Sequence, residues 1–105
     1  MTLDATQVLG DSLSAAFSKN VVRAFFLRLP PGAQVHRHVD AGDVETWHLP
    51  VTTNERAFSC WTENGQVRRL HLEVGMLYAL DRTVEHWAVN DGDTERTHLI
   101  VEFAR

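Results

Sequence analysis

The chain has a single cysteine, Cys60, and a single lysine, Lys19, among its 105 residues. One cysteine excludes an intramolecular disulfide and any zinc site built from thiolates, and it fits a reducing cytoplasm. Positive charge rests on nine arginines, set against fourteen acidic residues for a net charge of −4. There is no basic stripe, so no nucleic acid or anionic membrane is expected as partner; a small-molecule or peptidyl substrate is. Long apolar runs are missing too. The N-terminus, MTLDATQVLG, carries an acidic residue and no basic segment, so it reads as neither a signal peptide nor a membrane span. No serine stands in a nucleophile-elbow context, and no repeat, low-complexity tract or linker divides the chain. With 44% hydrophobic and 23% charged residues, one folded domain over 1–105 is expected, with an N-terminal helical segment 1–19 and a core 20–105.

What is present is mostly β pattern. Only residues 4–18 carry apolar positions at three-to-four spacing (Val8, Leu9, Leu13, Ala16, Phe17), which predicts one short amphipathic helix with Asp4 or Thr6 as N-cap. Beyond Asn20, short runs of Val, Phe, Leu, Thr and Trp alternate with turn formers: Pro30-Pro31-Gly32, Ala41-Gly42-Asp43, Asn64-Gly65 and Asp91-Gly92-Asp93. Eight strands are predicted, at 21–29, 34–40, 44–49, 57–62, 66–72, 76–80, 85–90 and 96–103. Asn64-Gly65 is a strong tight-hairpin signal, because both residues tolerate positive φ. One helix followed by eight short strands predicts an all-β double-stranded β-helix, a jelly-roll or cupin-like barrel whose alternate residues line the interior.

Six histidines are the remaining surprise. In His36-Arg37-His38-Val39-Asp40, residues two apart on a strand share a face, about 6.5–7 Å between Cα atoms, so His38 and Asp40 reach one metal ion. A third ligand from a neighbouring strand completes a two-His, one-carboxylate face of the kind found in non-haem Fe(II) oxygenases, and His86, opening the seventh strand, is the candidate. Arg96 follows one turn later and offers a planar fork suited to a carboxylate. An H-x-D triplet arises by chance about 0.4 times in a chain with six His and seven Asp, so its context carries the weight. The bland alternative is two packed histidines and a turn-forming Asp, with Arg96 a surface partner of Glu95 or Glu85. His36 shares the face of His38, as an extra ligand or a packed neighbour. His98 shares the face of Arg96. His71 reads as structural, and Trp87 as core or pocket rim. Cys60, inside Phe58-Ser59-Cys60-Trp61, reads as a small core residue and not a nucleophile. The run 91–95 reads as a solvated turn without the spacing of a calcium loop.

Six segments together carry a family resemblance: Leu29-Pro30-Pro31-Gly32; His38-Val39-Asp40; the stretch from His48-Leu49-Pro50 to Asn54; Gly75-Met76-Leu77-Tyr78-Ala79-Leu80-Asp81; His86-Trp87-Ala88-Val89-Asn90; and Arg96-Thr97-His98-Leu99-Ile100-Val101. In this order and with these gaps the chain from Leu29 to Phe103 resembles the aspartyl/asparaginyl β-hydroxylase-like family of Fe(II)/2-oxoglutarate-dependent dioxygenases. The resemblance implies hydroxylation of an amino acid, an Asp/Asn side chain or a related small molecule. It implies Fe(II) on His38, Asp40 and His86, 2-oxoglutarate on Arg96, and His48 lining that cosubstrate pocket; His98, by the face it shares with Arg96, is expected to line the same pocket or to pack beside it. The family places a basic residue two positions before His48, and here Thr46 stands there. Family members also carry longer flanking segments, so a shallow pocket or completion by a second subunit, as in a homodimer, is expected. A cupin that binds a metal or ligand without oxygenase activity is the competing reading. Its motifs match His36, His38 and the His86-to-Asn90 spacing, the latter placing Asn90 near the pocket, but not the surrounding Pro, Gly and Glu.

Overall fold

A computed structural model describes residues 2–105. Along the chain run β1 (Thr2–Asp4), α1 (Thr6–Phe17), β2 (Val21–Leu29), β3 (Gln34–His38), β4 (Val44–Thr52), β5 (Ala57–Glu63), β6 (Gln66–Leu70), β7 (Tyr78–Leu80), β8 (His86–Asn90) and β9 (Arg96–Ala104). The Asn64-Gly65 turn forms as predicted, with φ of 52° and 77°, and joins β5 to β6. Outward from this hairpin the antiparallel pairs nest, β4 with β7, β3 with β8 and β2 with β9. A long ribbon of paired strands rolled over on itself makes two facing sheets, β1-β2-β9-β4-β7 and β3-β8-β5-β6. That is the jelly roll expected from the sequence.

It is an open sandwich and not a closed barrel: among the described residues no strand of one sheet pairs with a strand of the other. The described residues form nine strands where eight were expected. The extra one, β1, pairs three residues with the edge of β2 and is too short to show alternation. Strand β4 runs on to Thr52 instead of ending at 49, and its register shifts between Pro50 and Thr52, where proline has no N–H to give the ladder. Strand β3 stops at His38, β6 at Leu70, and β7 begins only at Tyr78.

Strand β9 is central and buried on both sides. Leu99, Val101 and Phe103 face one way, forming with Ala24 a core against which Leu9 and Leu13 of α1 pack. Phe17 meets the Phe103 ring at 5.5 Å. Val8, expected on the apolar stripe, is 81% exposed, so the face turned to the core is the 9-13-17 row, half-buried at Leu9 and Leu13. The N-cap is Ala5 and not Asp4 or Thr6, although the Asp4 carboxylate still accepts the Thr6 N–H at 2.8 Å. On the other face of β9 the residues are Arg96, His98, Ile100 and Glu102, and all four are buried. Three polar side chains on the inward phase of a central strand mark the sandwich interior as a site, since buried polar groups need partners.

Asn90 proves structural and not part of a pocket. It is wholly buried, donates to the carbonyls of Leu29 and Thr94, and accepts from Asn54 and the Gly92 N–H. It thus ties the ends of β2 and β8 to the 91–95 turn. Asn90→Ala strands several buried backbone groups at once, so a loss of about 2–3 kcal/mol in unfolding free energy is expected in urea titrations.

Candidate metal and anion site

The register of β3 on β8 sets His38 directly opposite His86. Their rings lie 4.2 Å apart, centroid to centroid. Each ring is fixed by its own backbone: Nδ1 of His38 donates to the His36 carbonyl at 2.6 Å, and Nδ1 of His86 to the Val84 carbonyl at 2.8 Å. With Nδ1 engaged by the backbone, Nε2 is the atom of each imidazole left to ligate. Both Nε2 atoms face the Asp40 carboxylate, with Oδ2 at 3.3 Å from Nε2 of His38 and 3.1 Å from Nε2 of His86. Ligand atoms at neighbouring corners of an octahedral or tetrahedral shell, with bonds of about 2.1 Å, stand about 3.0–3.4 Å apart. Two imidazole nitrogens at that spacing from one carboxylate oxygen fit a divalent cation. The ligand atoms of His38, Asp40 and His86 all lie within 4.8 Å of one another.

Asp40 arrives there differently from the sequence expectation. It lies beyond the end of β3, in the loop that follows. Its N–H donates to the Arg82 carbonyl at 2.9 Å, and its Oδ2 accepts from Arg82 Nε at 3.0 Å and lies 2.9 Å from Nη2. Burial raises the Asp40 pKa, but the Arg82 hydrogen bond and charge, aided by His38 and His86, outweigh it and hold the carboxyl below its ordinary value. The third nitrogen of Arg82, Nη1, pairs with the buried carboxylate of Glu102 and donates to Thr46 Oγ1 at 3.2 Å. Neither Arg82 nor Glu102 was among the candidates. Glu102 had a legible signal, being in phase with Arg96 and His98; Arg82, in a loop, had none.

These residues open on a cavity of about 460 Å³ between the sheets, which His38, Asp40, Thr46, His48, Arg82, His86 and Arg96 all line. Phe25, Leu27, Trp61, Leu80, Trp87 and Ile100 supply apolar wall, so Trp87 is pocket surface; Arg37 stacks on its ring at 3.9 Å. His36 is exposed and contributes its carbonyl, not its side chain. His71 hydrogen-bonds to the Ala57 carbonyl and lies away from the cavity. Cys60 is buried at the cavity wall, and that burial raises its thiol pKa, which disfavours a nucleophilic thiolate.

Arg96 is no surface partner of Glu95 or Glu85, which lie by Arg28 and Arg37 instead. It is 2% exposed, and its Nε and Nη1 have no hydrogen-bond partner. Burial lowers its pKa to about 10, which leaves it charged at neutral pH. A buried, charged guanidinium with two unused donors costs several kcal/mol unless an anion meets it. Its remaining contact is Nη2, which donates to Nδ1 of His98 at 3.0 Å. His98 Nδ1 is therefore an acceptor, so His48 Nδ1, 3.1 Å away, is the donor in that pair. His98 is 1% exposed and sits behind Arg96 and His48 without lining the cavity.

Burial lowers the pKa of His48 to about 3 and of His98 to about 2, with Arg96 adding repulsion in both. Both are neutral when folded, whereas in the unfolded chain both take up protons below about pH 6.5. The unfolded state then binds more protons, so stability is full above that pH and falls as pH drops towards 3. Urea midpoints of the metal-free protein should decline from pH 6.5 to 5, and His98→Gln should make that decline shallower by up to one proton.

The matching family model, aspartyl/asparaginyl beta-hydroxylase, covers residues 4–105. The chain belongs to the aspartyl/asparaginyl β-hydroxylase family. No curated protein matches the sequence significantly. Among solved structures, a cupin domain from Bordetella pertussis Tohama I is similar at a TM-score of 0.64 and 23% identity, over 82% of this chain and 84% of that one. A Thermotoga maritima protein described as a predicted oxalate decarboxylase is similar at 0.59 and 20%, over 88% and 73%. An oxidoreductase of the 2OG-Fe(II) oxygenase family from Burkholderia pseudomallei is similar at 0.75 and 16%, over 93% of this chain. This chain spans 55% of the Burkholderia protein's length. At these identities the likeness establishes the cupin fold. No helix among the described residues is long and apolar enough to cross a membrane.

Proposed function

We propose that the protein is an Fe(II)/2-oxoglutarate-dependent hydroxylase acting on an amino acid, an Asp or Asn side chain, or a related small molecule. The observation that carries this reading is Arg96, a buried guanidinium with two unpartnered nitrogens in the same cavity as the His38-Asp40-His86 cluster. One cavity thus offers a three-ligand cation site and an unmet demand for an anion, and family membership supports pairing the two. The donor set of two imidazoles and one carboxylate suits Fe(II) and leaves the remaining coordination positions to other molecules. When bound, Fe(II) and 2-oxoglutarate supply the oxygen-activating oxidation of an unactivated C–H bond.

The protein's own contribution is positional and electrostatic. Arg96 would meet the distal carboxylate of 2-oxoglutarate with its charge and an unused donor, while His98, held by His48, fixes the guanidinium plane through Nη2. Because both imidazoles stay neutral, Arg96 is the positive charge at that end of the cavity. The apolar walls exclude water from the reacting centre. A metal-binding cupin without oxygenase activity is the second reading, and the uncharged Thr46 is the observation in its favour.

The two readings separate spectroscopically. Under anaerobic conditions, Fe(II) with 2-oxoglutarate should give the visible charge-transfer band of a keto-acid chelate, and admitting O2 should yield succinate. Arg96→Gln should raise the 2-oxoglutarate dissociation constant by about 30-fold or more, as expected for removing one partner of a buried charge pair, with Fe(II) affinity retained. Iron binding without band or succinate, unchanged by Arg96→Gln, would establish the second reading instead.

A further inference from the structure

Strand pairing fixes two of the three candidate metal ligands, but not the third. His38 and His86 are register partners at the facing ends of β3 and β8, with each Nδ1 held by its own chain. Asp40 has no strand neighbour. What holds it is Arg82, twice: the Arg82 carbonyl takes the Asp40 N–H, and the guanidinium edge takes its Oδ2 through Nε at 3.0 Å, with Nη2 at 2.9 Å. Arg82 is in turn anchored to the opposite sheet, where Nη1 meets Glu102 of β9 and Thr46 of β4. The guanidinium therefore spans from the loop bearing the carboxylate ligand to the floor of the cavity, with all three nitrogens engaged.

We propose that Arg82, braced by Glu102, is the positioning residue that presents the Asp40 carboxylate to the metal. The inference rests on the metal-site reading above and adds to it a residue from outside the ligand set. Two physical arguments support the assignment. A carboxylate on a loop loses side-chain and backbone freedom when it ligates, and a pre-formed two-point grip removes that cost before the ion arrives. Charge balance requires the second acid. Arg82 alone beside Asp40 would cancel the negative charge that attracts a dication, whereas Asp40, Arg82 and Glu102 together sum to −1. Glu102 thus lets a cation serve as the strut of a cation site. Lysine would keep the charge of Arg82 but not its planar fork, which meets two carboxylates on different edges.

The test uses Co(II) alone as probe, without cosubstrate, on the full chain. Binding is measured by calorimetry, and ligand geometry by the visible absorption of the bound ion. The wild type should take up one Co(II). Arg82→Gln should weaken it by about 10–100-fold, with an altered spectrum. Arg82→Lys should fall between, Glu102→Gln should also weaken binding, and Arg28→Gln, at the surface pair with Glu95, should leave it unchanged. A merely structural Arg82 would lower the thermal midpoint of the metal-free protein yet leave affinity and spectrum at wild-type values in every variant that folds, and that result overturns the proposal. Should Arg82→Gln not fold, Arg82→Lys and Glu102→Gln decide by the same criterion. Absence of Co(II) binding in the wild type overturns the metal site itself and the inference with it, whereas wild-type binding with unaltered variants overturns the inference alone.

Discussion

Pairing between β3 and β8 sets His38 against His86, and the site is assembled around that contact. The two histidines are far apart in sequence, and nothing local brings them together. They meet because the chain folds as a ribbon of nested antiparallel strands closed by the Asn64-Gly65 hairpin, so each strand before the turn has a fixed partner after it. A one-residue slip of β3 along β8 would turn His38 to the other face of the sheet, away from His86. In the facing sheet, Leu99, Val101 and Phe103 under α1 fix the phase of β9 in the same way, because its hydrophobic side must stay covered.

Two arginines in one cavity show how environment assigns roles to the same side chain. Arg82 is satisfied on every nitrogen and flanked by two carboxylates, so it acts as an internal counter-ion. Arg96 is left with two empty donors and only neutral imidazoles as company, so its charge is available to a ligand. The difference lies in the partners across the sheets. The neutral His48-His98 pair matters for the same reason: it orients Arg96 without competing for an anion.

Much of this was legible before the fold was known. Alternation and turn chemistry gave the helix, the hairpin and all eight expected strands close to their true places, and the two-apart spacing of His38 and Asp40 pointed at a shared target. Arg96 was found through its offset from His86. Other features were not legible. Asn90 looked like a pocket residue by motif, yet its amide is consumed by turn carbonyls that only the folded chain brings within reach. Asp40 was expected on a strand, but β3 ends at His38. The reach of Arg82 to Asp40 and Glu102 joins a loop to two separate segments, and no periodicity encodes such a contact.

The sequence by itself determined the β class, the hairpin about which the ribbon folds, the phase of each strand and hence which side chains face inward, because these depend on local sterics and on burial of alternate residues. Tertiary structure alone decided which inward-facing groups became neighbours: His38 with His86, Arg82 with Asp40 and Glu102, and Arg96 with His98 and no carboxylate side chain. Charge and hydrogen-bond satisfaction are properties of a neighbourhood. The neighbourhood exists only once the two sheets face each other.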